Sequence, residues 1–276
     1  MSDSLAVFHG HFGRVCLYDM DRTMAPHGHR EGHLIFHVQG PPAEVIVNGK
    51  ASPLSAGQAV AVSPWQAHYY KPRDHSHPTL ALVLYIRPGW FLESAKRASA
   101  SLCFGRTGIE VTDHLSRLVF GTAQALLDTD RKDLLIEDRL CALTQFAFDQ
   151  SWQWTPRGSE FTGPDLPRRD FRIRKALTFL QERVCEAIDL DDVAREVGLS
   201  RPHFYKLFRA QVGLTPKLYR NALRMECAID MLAGSQEGVA DIGFDLGFSS
   251  QASFSRFFIS NGVVPPSAYR RTVHVA

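Results

Sequence analysis

The strongest constraint in this 276-residue chain is a segment that occurs twice. From Val193 the sequence runs VAREVGLSRPHFYKLFRAQVGLTPKLYR, and from Ile242 it runs IGFDLGFSSQASFSRFFISNGVVPPSAYR. At an offset of 49, Val193, Gly198 and Ser200 match Ile242, Gly247 and Ser249. At an offset of 50, Phe204, Lys206, Phe208, Pro216, Tyr219 and Arg220 match Phe254, Arg256, Phe258, Pro266, Tyr269 and Arg270. One residue inserted just after the turn accounts for the change. Self-similarity of this kind means that one supersecondary unit has been built twice.

Each copy has a short helix ending at a glycine, a tight turn, a serine able to N-cap, and a longer amphipathic helix. Gly198 and Gly247 supply the positive φ that closes the first helix. Ser200 and Ser249 are candidates to accept the free N–H groups of the second. Phe204 and Phe208, like Phe254 and Phe258, recur at i, i+4 and define a core face. The free face of the first copy carries Arg201, Pro202, Tyr205, Lys206 and Arg209. That of the second carries Gln251, Ala252, Ser255 and Arg256. This pattern predicts two helix-turn-helix units, whose second helices enter the DNA major groove. A scaffolding αα-hairpin is the bland alternative, and basic and amide residues on both free faces weigh against it. Between the units, Pro216 to Ala233 reads as one continuous helix with Leu218, Ala222, Met225, Ile229 and Leu232 inward.

On these motifs, residues 171–272 resemble the DNA-binding domain of the AraC/XylS family of bacterial transcription regulators. The stretch ADIGFDLGFSSQASFSRFFISNGVVPPSAYRR carries most of the likeness, with GLSRPHFYKLFRAQVGLTPKLYRNALRMECAIDML before it. The resemblance implies base-edge reading by Pro202, Tyr205 and Lys206, with Arg201 flanking, and by Gln251, Ala252, Ser255 and Arg256. The chemistry agrees: Gln pairs with adenine, Arg and Lys with guanine, and Ala or Pro can meet a thymine methyl. Ser200 and Ser249 serve phosphate and capping. Ile259, Ser260 and Asn261 stand where the family has a basic pair, and Val263 where it has glycine. A weaker phosphate grip by the second unit is therefore expected.

The first hundred residues read as β. Runs such as HLIFHVQ, AEVIVNG, GQAVAVS and LALVLYI are separated by turn residues. From about Val111 the period becomes helical: Leu115, Leu118, Val119, Thr122 and Leu126 share one face, and Ile136, Leu140, Leu143 and Ala147 another. Residues 155–169 have no periodicity, three prolines and two glycines, and read as a linker. The chain beyond is expected to be helical to its end. The expected architecture is a two-domain α+β protein. An effector-binding and dimerisation domain covers 1–154, and a tandem helix-turn-helix domain covers 170–276. Larger members of the family carry a cupin-like β-barrel in front, and residues 1–100 are similar to one.

That front domain contains HGHREGH, with His27, His29, Glu31 and His33 at alternate positions, which a strand would point one way. The cupin resemblance places His27 and His29 in its HxH motif, closed by Gly40, with His33 where glutamate is usual. His68 stands one residue off the next ligand position. Three readings follow. The histidines line a pocket for an organic effector, with Phe36, Trp65, Tyr69 and Tyr70 as neighbours. Alternatively, His27, His29, His33 and His68 hold a divalent metal. In the third reading they are ordinary polar residues at a barrel mouth. The first is preferred, because a one-residue slip in a strand turns a side chain to the opposite face. No cofactor is expected, with a divalent metal as the alternative.

Composition narrows the remaining choices. Residues 1–167 hold 15 Lys/Arg and 17 Asp/Glu, and residues 168–276 hold 16 and 12, so the second half is the one suited to an anionic partner. Ten of the twelve histidines precede residue 168. Five scattered cysteines without a CxxC argue against a disulfide framework or a zinc knuckle. The run LALVLYI falls far short of the roughly 20 residues of a membrane span, and the first residues lack a signal-peptide pattern. No nucleophile elbow, phosphate loop or HExxH is present. The expectation is a cytoplasmic, non-enzymatic, effector-responsive activator. Its partners are promoter DNA, RNA polymerase and a second copy of itself. A cupin-type metal-binding protein or metalloenzyme with a helical scaffold is the alternative.

Overall fold

The computed structural model describes residues 2–94, 102–128, 134–152, 170–186, 188–262 and 264–275. The expected linker 155–169 and Val263 lie outside them. Eight strands open the chain: β1 (Asp3–Gly10), β2 (Gly13–Met20), β3 (Gly32–Gln39), β4 (Ala43–Val47), β5 (Lys50–Leu54), β6 (Gln58–Val62), β7 (His68–Pro72) and β8 (Thr79–Ile86). A short helix α1 (Pro88–Ser94), strand β9 (Gly108–Glu110) and helices α2 (Asp113–Leu127) and α3 (Leu134–Trp152) complete the first half. The second half holds α4 (Phe171–Glu182), α5 (Leu190–Glu196), α6 (Arg201–Val212) and α7 (Pro216–Gly234). It continues with α8 (Val239–Asp245), α9 (Gln251–Asn261), α10 (Pro266–Thr272) and a last strand β10 (Val273–Val275).

Among the described residues the strands form two sheets, β10-β1-β2-β8-β3-β6-β9 and β5-β4-β7. Strict alternation sorts the larger sheet into two faces. Cys16, Tyr18, Ile35, Val60, Val62, Ala81, Val83 and Tyr85 point toward Val45, Val47, Leu54 and Tyr70 of the smaller sheet. Leu17, Leu34, Phe36, Ala59, Leu82 and Leu84 point outward, where α2 and α3 cover them with Leu115, Val119, Leu126, Ile136, Leu140, Leu143 and Ala147. Burial on both faces explains why these strands read as nearly continuous apolar runs. Both helical faces expected from periodicity are the covering faces. Phe120 and Leu127 remain exposed on α2.

The chain is not helical to its end. β10 runs parallel to β1, pairing Val7 with Val273 and His9 with Val275, and so becomes the edge of the front sheet. Three residues after a helix carry little sequence signal; what selects the strand is the open edge of β1, whose backbone groups need partners. Beside it, Tyr269 on α10 lies with its hydroxyl 2.7 Å from His9 Nε2. The apolar core between the sheets is continuous with Ile229 of α7 and with Leu246, Phe254 and Phe258 of the second helical unit. Trp65 and Ala67 pack against the first unit. The helical half is thus docked on the β half through both repeats.

Candidate nucleic-acid interface and sensory seam

The two repeats are built alike to the level of single rings. In the first, Phe204 meets Phe208 at 5.5 Å between ring centres, and Phe208 meets Tyr219 at 5.6 Å. In the second, Phe254 meets Phe258 at 5.9 Å, and Phe258 meets Tyr269 at 5.8 Å. All six rings are buried. Gly198 and Gly247 have φ of +69° and +74°, the left-handed backbone their turns require. The matched arginines serve the scaffold. Arg220 donates to the carbonyls of Ile188 (3.0 Å) and Glu186 (2.8 Å), and Arg270 donates to that of Glu237. Each therefore pins the loop ahead of its own unit's first helix.

Both capping expectations are corrected. Ser200 is the N-cap residue of α6, without a side-chain hydrogen bond, but the N-cap of α9 is Ser250, whose Oγ accepts from Ser253 N at 3.2 Å. Ser249 is exposed one residue earlier. The extra residue of the second copy therefore lies inside the turn, where a longer loop is tolerated, and not at the start of the helix.

With these rings turned inward, the opposite faces of α6 and α9 look outward. Arg201, Pro202, Lys206 and Arg209 are exposed and Tyr205 half-buried on α6; Gln251, Ala252 and Arg256 are exposed and Ser255 half-buried on α9. Arg201 is held by Asp191 of α5 at 2.9 Å, and Arg256 lies 3.2 Å from Ser253 Oγ. In place of the family's basic pair, Asn261 donates to the Phe257 carbonyl at 2.8 Å and closes its own helix. Helix α7 joins the units as one uninterrupted rod of 19 residues. Arg224 anchors the rod to the second turn: its Nε donates to the Leu246 carbonyl at 3.2 Å and its guanidinium lies 4.0 Å over Phe248.

The histidines converge, although not on one strand. Residues 25–31 form an irregular strap, His27 bridging antiparallel to His68, and only His33 lies on β3. His33 Nδ1 is 3.3 Å from His29 Nε2 and 3.1 Å from His68 Nε2. The one-residue offset does not turn His68 away. Trp65, ahead of β7, has a left-handed backbone with φ 64°, so the chain does not enter β7 as a regular strand whose alternation would fix the side of His68. Burial holds all four imidazoles below their ordinary pKa, His68 at about 3, so they are neutral at pH 7.

The other proposed pocket residues separate. Phe36 is a correction: it sits on the outer face of β3 under α2 and α3, one residue out of phase with His33 and Ile35. Trp65 donates its backbone N–H to the His29 carbonyl (2.8 Å), but its ring lies against Tyr219 at 4.9 Å. Tyr70 is in the inter-sheet core, its hydroxyl 2.9 Å from Thr79 Oγ1, and Tyr69 faces the other way.

A small cavity lies on the seam between the halves. His27, His29, Tyr18, Tyr85, Arg14 and Glu31 line one wall, and Met225, Glu226 and Ile229 of α7, with Phe258 and Tyr269, line the other. Arg14 is buried over the Tyr85 ring (3.6 Å) and bonded to Glu31 at 2.8 Å. Burial is the largest single influence and opposes its charge, but Glu31 together with Tyr269, Tyr85 and Cys16 outweighs it and keeps the pKa above the ordinary arginine value. Sequence reading missed Arg14 and the α7 wall. The available signal was one basic residue inside the apolar run GRVCLY.

Comparison with known proteins agrees with this architecture. Residues 193–272, which span both repeats, match a family model described as a helix-turn-helix domain. Regulatory protein PocR of Salmonella typhimurium is 28% identical over 152 residues, which cover 55% of this chain and half of that protein's length. The HTH-type transcriptional activator RhaS of Enterobacter sp. is 25% identical over 241 residues, covering 84% of this chain and 83% of that one. Unsaturated fatty acid-bound ToxT from Vibrio cholerae shares the fold, with TM-score 0.58, 16% identity and 94% of each chain covered. Doubled helix-turn-helix, connecting rod and sheet-rich front domain together give the chain an AraC-type helix-turn-helix domain and the architecture of its relatives, which are AraC-family transcription regulators.

Proposed function

We propose that the chain is a non-enzymatic, cytoplasmic activator. It inserts α6 and α9 into successive major grooves of a promoter, and a small effector at the domain seam governs its grip. The observation that carries the reading is the pairing of exposed outer faces on α6 and α9 with burial of Phe204, Phe208, Phe254 and Phe258 on their inner faces. Nineteen residues of α7 span about 28 Å, against roughly 34 Å between successive major grooves, so the DNA bends toward the protein. Arg201, Pro202, Tyr205, Lys206 and Arg209 address one segment; Gln251, Ala252, Ser255 and Arg256 address the next. Phosphate grip is the weaker in the second, where Asn261 is occupied with its own helix.

The seam favours effector control. Its cavity has room for about 40 Å³, enough for a few waters and no more. A larger molecule enters only if α7 moves off the β domain, and such a movement carries the DNA-reading helices with it. That ToxT was solved with an unsaturated fatty acid gives a precedent for a small ligand on this fold. Exposed Phe120 and Leu127 on α2 suit pairing of two copies through that helix, in a front domain of 1–154 separated by residues 155–169 from a reader of 170–276. Contact with RNA polymerase completes activation. No helix among the described residues is long and apolar enough to cross a membrane.

Footprinting on the DNA beside the chain's own gene, with and without candidate metabolites, tests the reading. Two adjacent protected segments per subunit on one DNA face are expected. Protection of a single segment would refute the two-groove arrangement, and none at all the promoter assignment.

A further inference from the structure

Each neutral imidazole has one N–H, and a carbonyl oxygen can only accept. His27 Nδ1 lies 3.0 Å from the Ala25 carbonyl, His29 Nδ1 3.0 Å from that of Glu31, and His68 Nδ1 2.9 Å from that of Gln66. All three rings therefore spend their proton on Nδ1, and each keeps a bare lone pair on Nε2. A ligand nitrogen from each of these three lies within 4.8 Å of the other two. His33 Nδ1 adds a fourth nitrogen at 3.3 and 3.1 Å from two of them, while its Nε2 is buried with no hydrogen-bond partner among the described residues. The only N–H left in the cluster belongs to His33, and one proton cannot satisfy three inward lone pairs.

These are the features of a metal site. Ligands about 2.0–2.1 Å from a tetrahedral ion are about 3.3 Å apart, which matches the spacing of His33 to His29 and His68. Metal-bound histidines characteristically donate their other N–H to a carbonyl or carboxylate, which fixes tautomer and ring orientation. Behind His29 stands Glu31, whose Oε2 is 3.7 Å from His29 Nδ1 and buried without a hydrogen-bond partner among the described residues. An all-imidazole set suits zinc, nickel, cobalt or ferrous iron.

We propose that His27, His29 and His68, with His33 Nδ1 completing the set, hold one divalent transition-metal ion at the seam between the sensory and DNA-binding halves. The ion ties the strap 25–31 to β7. The same strap carries Gly28 against Leu214, and Arg30 to Glu226 of α7 at 3.6 Å. Bound metal therefore stiffens the surface on which the first repeat and the rod rest.

The test uses the full chain without a histidine tag. Protein is loaded with Zn²⁺, Ni²⁺ or Co²⁺, desalted and analysed for metal, and thermal unfolding is followed with and without chelator. About one equivalent per chain is expected, with visible absorption from the Co²⁺ form and a melting temperature that falls on chelation. His29→Ala, the most solvent-accessible of the ligands proposed, should lower affinity by at least about 100-fold, and His68→Ala likewise. His37→Ala, outside the cluster and bonded to the Gly40 carbonyl, should leave it unchanged. Retention below about 0.1 equivalent, or equal retention by His29→Ala, overturns the site. If the variants do not fold, Co²⁺ titration of the unaltered chain decides: no saturable visible band means no site. Metal content is read apart from DNA binding, so this inference and the promoter reading fail separately.

Discussion

Arg224→Met would isolate what fixes the second repeat on the connecting rod. Arg224 is 8% exposed and stands on α7, outside both repeats. Its guanidinium donates to the Leu246 carbonyl and lies over Phe248, at the turn that launches α9. Methionine keeps most of the volume and loses both interactions. A charge-assisted hydrogen bond contributes about 1.5–3 kcal/mol, and a partly desolvated cation–π contact about 0.5–2 kcal/mol. Relief of the buried charge offsets part of this, so a net loss of about 1–3 kcal/mol is expected. Burial lowers the Arg224 pKa to about 10, so the group stays cationic and the loss should be flat between about pH 6 and 8. Urea unfolding measures the loss, and footprinting locates it. Protection should weaken over the segment read by α9 and persist over that read by α6. An unchanged midpoint with both segments equally protected would refute the anchoring role.

Lys206→Ala and Arg256→Ala should each relax base preference in a different DNA segment by about 1–3 kcal/mol, measured by binding to randomised sites; uniform loss on all sequences would remove the base-reading roles. Tyr269→Phe leaves buried His9 Nε2 without its partner and should destabilise the chain by about 1–3 kcal/mol in chemical unfolding. Burial, Arg14 and Arg87 lower the His9 pKa to about 3, so this residue is uncharged when folded. Its contribution is present above the unfolded value of 6.5 and is lost as pH falls from there toward 3; the buried histidine cluster acts in the same direction, and His9→Gln should remove only part of the slope. Phe120→Asp should shift a dimer to monomer in sedimentation without lowering the melting temperature, because Phe120 is 48% exposed in the single chain.

The repeat was legible because its signals are local. A glycine needed at positive φ, a capping serine, aromatic residues four apart and a proline at the first turn of α7 each act within a few residues. Such signals survive in any context that allows the helices to form. They set the helix order, the free faces of α6 and α9, and the likeness to AraC-family regulators. The short apolar runs broken by turn residues likewise announced sheets, and the helical period announced the covers α2 and α3. Strand order, and which face of β3 meets which neighbour, depend on contacts distant in sequence. Phe36 went to the outer core for that reason. The Ser249 to Ser250 shift shows the limit of a repeat read by offset, since an insertion is placed only when the turn closes around it. The histidines show the same division most sharply. Sequence supplied four imidazoles and the spacing HGHREGH. Their convergence rests on a strap with no regular secondary structure and on one left-handed residue, Trp65, that no periodicity announces. The return of β10 to β1 and the packing of α7 over the strap exist only in the folded chain. Both join groups about two hundred residues or more apart. Local sequence can favour a helix or a turn, but only the packed whole decides which surfaces, from opposite ends of the chain, face each other across the seam.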